Sequence, residues 1–150
     1  MIYKALVFIA LVASSCQNEE SDNTGGAAAT TDEEVQATGD VSIEDSVTTF
    51  EQHIADMQAF VAAANEGGHS EVHSAANILL TRYQFDVLSF LKKNSYREAS
   101  YQWDIAEKDY IALETSYQNS DAPSSLGELW TSYQDSRELV LSLKKAWEVR

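Results

Sequence analysis

Apolar side chains recur at alternating steps of four and three along most of the chain from residue 43 onward. Ile43, Val47, Phe50, Ile54, Met57 and Val61 form the first such series, the a/d seam of a helix. Ser42 with Asp45 resembles its start cap, and Gly67-Gly68 supplies the stop, so a helix is expected over about residues 43–65. Ser70 can cap a second helix with the seam Ala76, Leu80, Tyr83, Val87 and Phe90. Ile78, Phe85 and Leu88 widen its apolar surface, and Asn94 suits the left-handed conformation that ends it.

Ser95-x-x-Glu98 reads as a capping box opening a third helix, whose seam is Tyr96, Ala99, Trp103, Ala106, Tyr110, Leu113 and Tyr117. The run Asn119–Ser125 holds the only proline, Pro123. A second capping box, Ser125-x-x-Glu128, opens the fourth helix, with the seam Leu126, Leu129, Tyr133, Ser136, Val140, Leu143 and Trp147. Period-two alternation, as strands require, is sustained nowhere. The expected fold class is all-α: short loops between long amphipathic helices give an antiparallel up-down-up-down four-helix bundle. Residues 41–150 suffice for one such core.

Before Val41 the character is different. Residues 17–40 contain seven acids, no base, no aromatic and one aliphatic side chain larger than alanine, Val35. Such a segment buries too little apolar surface to offset its ordering entropy, and it is expected to be a disordered acidic tether. Ahead of it stands Cys16, the only cysteine, preceded by Lys4, an apolar run from Ala5 to Ala13, and the small residues Ser14 and Ser15. That is the layout of a signal peptide over residues 1–15, and its apolar run is well short of the roughly 20 residues that span a bilayer.

Ala13-Ser14-Ser15-Cys16 resembles the lipid-acceptor end of a bacterial lipoprotein signal. The resemblance implies that Cys16 is acylated and becomes the mature N-terminus, which anchors the chain in a membrane. Gln17 resembles the outer-membrane sorting residue of Gram-negative bacteria, and Glu19, Glu20 and Asp22 resemble export signals on surface lipoproteins of Bacteroidota. Two plainer readings stand beside these. Ala13-x-Ser15 also suits ordinary secretion, and the acids also suit a solvated linker.

Charge narrows the partners. The chain carries a net −14, and residues 41–150 a net −8, with no basic stripe for phosphate. Nucleic acid is therefore disfavoured, and membrane contact is expected through the lipid on Cys16 rather than through a basic helix.

Candidate chemistry is sparse. His69 and His73 stand four apart, the spacing that puts two imidazoles on one helical face, and Glu114 or Glu128 could join them as metal ligands from the same end of the bundle. The plainer reading keeps both histidines partly wet in a loop and a first turn. His53 is offset from His73 by about 13 Å along the axis, too far to share an ion. No Glu-x-x-His, glycine-rich phosphate loop or recognisable nucleophile motif is present, so no cofactor and no enzymatic activity are expected.

Tyr83, Tyr110 and Tyr133 fall on seams, with Ser136 near the level of Tyr83 as a possible hydroxyl partner. They either belong to a tyrosine-rich core or line a cavity for a small ligand. The two function classes are a lipid-anchored envelope module acting through an envelope protein partner or as a structural element, and a small-ligand- or metal-binding bundle in the periplasm or at the cell surface.

Overall fold

The computed structural model describes residues 43–150; the leader, Cys16 and the acidic segment lie outside the described residues. A single 3-10 turn, Ile43–Asp45, leads into α1, Ser46–Glu66. The second rod begins as α2, Ser70–Arg82, passes through a π-helical segment at Tyr83–Val87, and ends as α3, Leu88–Lys92. α4 spans Tyr96–Gln118 and α5 spans Ala122–Glu148. Among the described residues there is no strand, and the fold is an all-α four-helix bundle.

The rods share four sides: α1 with α2, α2 with α4, α4 with α5, and α5 with α1. Cross-links fix their directions. Trp147 Nε1–H donates to Ser46 Oγ at 2.9 Å, His53 meets Ser136 at 2.8 Å, and Phe60 meets Trp130 at 5.4 Å between ring centroids, so α5 descends as α1 climbs. Lys144 with Asp104 and Arg137 with Glu107 show the same opposition between α4 and α5.

The turns follow local chemistry. Gly68 has φ +74° and Asn94 has φ +56°, the left-handed conformations that glycine and asparagine tolerate best. Around each, the next residue but one beyond the helix reaches back. His69 N–H bonds the Ala64 carbonyl and Ser95 N–H bonds that of Phe90, both at 2.9 Å, which makes both turns Schellman motifs.

α4 starts directly after Ser95 as expected, but the cap bonds and the start of α5 differ from expectation. Neither Ser95 nor His69, the residue ahead of Ser70, makes a side-chain cap bond. α5 begins a turn earlier than Ser125: both the amide and the hydroxyl of Ser124 bond the Asp121 carbonyl, and Pro123 occupies the first turn, where a missing N–H costs nothing. Ser125 is thereby carried one turn into the helix, and its hydroxyl faces the α1–α2 loop.

Two seams need correction. In α1 the fully inward series is Ser46, Phe50, His53, Met57, Phe60 and Ala64, which also steps 4, 3, 4, 3, 4, whereas Ile43, Val47 and Val61 are only partly covered. In the second rod Leu79, Tyr83, Val87 and Leu91 step by four throughout. Each such step would drift by about 40° on an α-helix, and the wider π turn absorbs the drift. Leu91 is therefore buried in place of Phe90, and Ile78 and Phe85 face outward at 56% and 70% exposure.

The centre is aromatic. The Phe50 ring lies 5.6–6.3 Å from those of His53, Tyr83, Trp103 and Trp147, three of them edge-on, the arrangement favoured by ring quadrupoles.

Candidate functional site: a buried polar centre and a loop-end histidine

Each rod sends at least one polar group into the middle of the bundle. α1 supplies His53, the π segment Tyr83, α4 Trp103, and α5 Tyr133, Ser136 and Arg137. Tyr83 stacks on Trp103 at 5.0 Å and 11°, and His53 stacks on Tyr133 at 5.0 Å and 20°. The Arg137 guanidinium sits over the Tyr110 ring at 3.8 Å, and its Nη2 grips both oxygens of Glu107 at 2.7 Å. The pair is charge-assisted and short, with one nitrogen shared between the two carboxylate oxygens.

The expected cavity residues are thus brought together, and the space between them is taken by His53, Trp103 and Arg137. Tyr83 pairs with Tyr133 at 3.4 Å between hydroxyls rather than with Ser136, whose hydroxyl serves His53 instead. Tyr110 stands at the edge of the group, where its hydroxyl donates to Glu114 at 3.3 Å and meets the Gln134 amide at 3.1 Å. Burial raises the pKa of Tyr83, Tyr110 and Tyr133, so these phenols stay protonated.

The bonds around His53 set its tautomer. Ser136 has one hydroxyl proton, and that proton goes to the Tyr133 carbonyl at 3.0 Å. Its oxygen therefore accepts from His53, which places the imidazole proton on Nδ1 and leaves a lone pair on Nε2. Burial, assisted by the Arg137 charge, lowers the His53 pKa to about 3, so the ring is neutral at physiological pH.

At the loop end, His69 joins two turns. Its Nε2 meets Ser125 Oγ at 2.9 Å and its Nδ1 lies 3.1 Å from Asp121 Oδ1. The order Asp–His–Ser is that of a nucleophile relay, but the surroundings do not support one. Ser125 also lies 3.4 Å from the Ala122 carbonyl, a long secondary contact beside the 2.9 Å contact to His69. The neighbouring first-turn amides are engaged: that of Ala122 bonds Ser120 Oγ, that of Ser124 bonds Asp121 O, and Pro123 has none. An acyl oxyanion would find no free donor among them.

The remaining metal candidates separate. His73 is half-buried in the first turn of α2, Glu128 is exposed on α5, and Glu114 is engaged by Tyr110. Among the described residues no three His, Cys, Asp or Glu side chains stand close enough to hold an ion.

His53, Arg137 and Glu107 were not singled out by the sequence as a group. The available signal was the second 4-3-4-3 series in α1, which a count of aliphatic residues passes over because it contains Ser46 and His53. No protein-family model, curated protein or solved structure matches the chain.

Proposed function

We propose that the protein is a lipid-anchored helical-bundle module of the cell envelope, held to the outer membrane through Cys16, that works by contact with another envelope protein and not by catalysis. The observation that carries this reading is the outward face of the second rod. Phe85 and Ile78 stand in solvent beside a shallow groove that also includes Asn77, Thr81, Arg82 and Asp86. Ile78 and Phe85 stand seven residues apart on one outward face of the rod, and the π segment that contains Phe85 is a feature often found at functional positions. The surrounding domain is acidic, with a net −8 over residues 41–150, so the partner surface that fits is apolar at its centre and basic at its rim. No described helix is long and apolar enough to cross a membrane, which leaves the anchor to the lipid.

Two variants in intact cells test the two halves separately. Cys16→Ser should move the protein out of the membrane fraction, and unchanged fractionation overturns the anchor. Phe85→Ser with Ile78→Ser should keep the fold and the membrane association while abolishing cross-linking to the partner captured by the native protein. Recovery of the same partner in equal yield overturns the contact reading.

A further inference from the structure

Three polar atoms at the centre of the bundle are fully buried without a hydrogen-bond partner among the described residues: His53 Nε2, Trp103 Nε1 and Arg137 Nε. They belong to one cluster. The His53 ring centroid lies 5.9 Å from that of Trp103, and the Arg137 guanidinium carbon lies 5.8 Å from the same indole. Left unpartnered, each would carry the full penalty of desolvation, and native interiors rarely tolerate three such atoms side by side.

The signs of the three atoms specify what satisfies them. Trp103 Nε1–H and Arg137 Nε–H are donors and need an acceptor. His53 Nε2 carries a lone pair, because Ser136 fixes the proton on Nδ1, and needs a donor. A metal cation could take the lone pair but would be repelled by both donors. An anion could accept from both donors but would face the His53 lone pair, and Glu107 already neutralises Arg137. A neutral hydroxyl meets all three demands. Ring separations of 5–6 Å hold His53 and Trp103 with Tyr83 and Tyr133 in one packed aromatic cluster.

We propose that His53, Trp103 and Arg137 form a binding site for one internal water molecule, which accepts from Trp103 Nε1–H and Arg137 Nε–H and donates to His53 Nε2. This water links α1, α4 and α5 at mid-height and completes a network that otherwise stops at three loose ends. Three bonds to protein is the usual complement of a buried structural water. It exchanges only when the bundle opens, so its residence is long compared with tumbling.

Water-selective nuclear Overhauser measurements on the full chain, ¹⁵N-labelled, test the site. The Trp103 indole proton should show a dipolar cross-peak to water with the sign of a long-lived molecule. The His53 ring should show a protonated Nδ1 and an unprotonated, hydrogen-bonded Nε2. The Tyr83→Phe variant removes the buried hydroxyl of the ring stacked on Trp103, which could relay magnetisation, and the cross-peak should survive in it. Absence of the cross-peak in the native protein, its loss in Tyr83→Phe, or a proton on Nε2 would each overturn the proposal.

Discussion

His53 and Ser136, 83 residues apart in sequence, are joined at 2.8 Å in the middle of the bundle. The serine can accept from the imidazole only because its own proton is committed to the Tyr133 carbonyl one turn earlier on the same helix. One hydroxyl thus decides the protonation pattern of a buried histidine and, through it, the polarity of the whole centre.

Removing that hydroxyl should be costly for its size. Ser136→Ala leaves His53 Nδ1–H without an acceptor in a dry environment, and the expected loss is about 1–3 kcal/mol in urea denaturation. His53→Phe with Ser136→Ala removes both partners and should recover part of it. A single variant as stable as the native protein would show that the bond contributes nothing.

Acid should destabilise the domain before its carboxylates titrate. His53 is held at about 3 when folded against an ordinary 6.5 when unfolded, so the unfolded state binds the extra proton. Stability is full above pH 6.5 and falls as pH drops through the window from 6.5 to 3; at pH 5 the loss from this group is ~2 kcal/mol. Denaturation at pH 7.5 and pH 5 gives the difference, and His53→Phe should flatten it. An equal slope in that variant would assign the acid sensitivity elsewhere.

Arg137 and Glu107 should behave as a unit. Glu107→Gln strands a guanidinium whose side chain is only 9% exposed, and with Glu107 itself partly in solvent the expected loss is about 2 kcal/mol. Arg137→Met with Glu107→Leu removes both charges and should be less destabilised than Glu107→Gln alone. Additive losses in the double-mutant cycle would contradict the coupling.

His69 should matter locally. His69→Ala removes the contacts to Ser125 and Asp121 that join the α1–α2 turn to the start of α5. A loss of about 1 kcal/mol is expected, with faster amide exchange in both turns and none in the centre. Protection lost uniformly across the bundle would mean that the turns are not a separate unit.

Much of this architecture is legible in the sequence, because a helical stripe and its stop signals are local properties. Gly68 and Asn94 end their rods where their backbone freedom predicts, and the seams of α4 and α5 read correctly from Ala99 to Trp147 except at Leu129, which is only partly covered. The failures share a cause. In α1 two interleaved series have the same period, and the one facing the core contains His53 and Ser46, whose burial becomes tolerable only through Ser136 and Trp147. Those partners lie 83 and 101 residues away, and no local window contains them. The π segment is equally hidden: a single residue of extra turn leaves no mark in composition, yet it exchanges Phe90 for Leu91. Ser125-x-x-Glu128 has the form of a cap, yet α5 starts a turn earlier, where the Asp121 carbonyl accepts from Ser124 and Pro123 takes the first turn.

The three tryptophans lie at three heights along the bundle. Trp147 sits against Ser46 at one end, Trp103 beside His53 at the middle, and Trp130 stacks on Tyr117 at 4.2 Å towards the other end. The chain therefore carries a built-in optical ruler. Variants that keep one indole at a time, with phenylalanine at the other two positions, would let fluorescence follow each end and the centre separately. They would show whether the bundle opens from the end where the chain enters α1, from the His69 turn, or all at once.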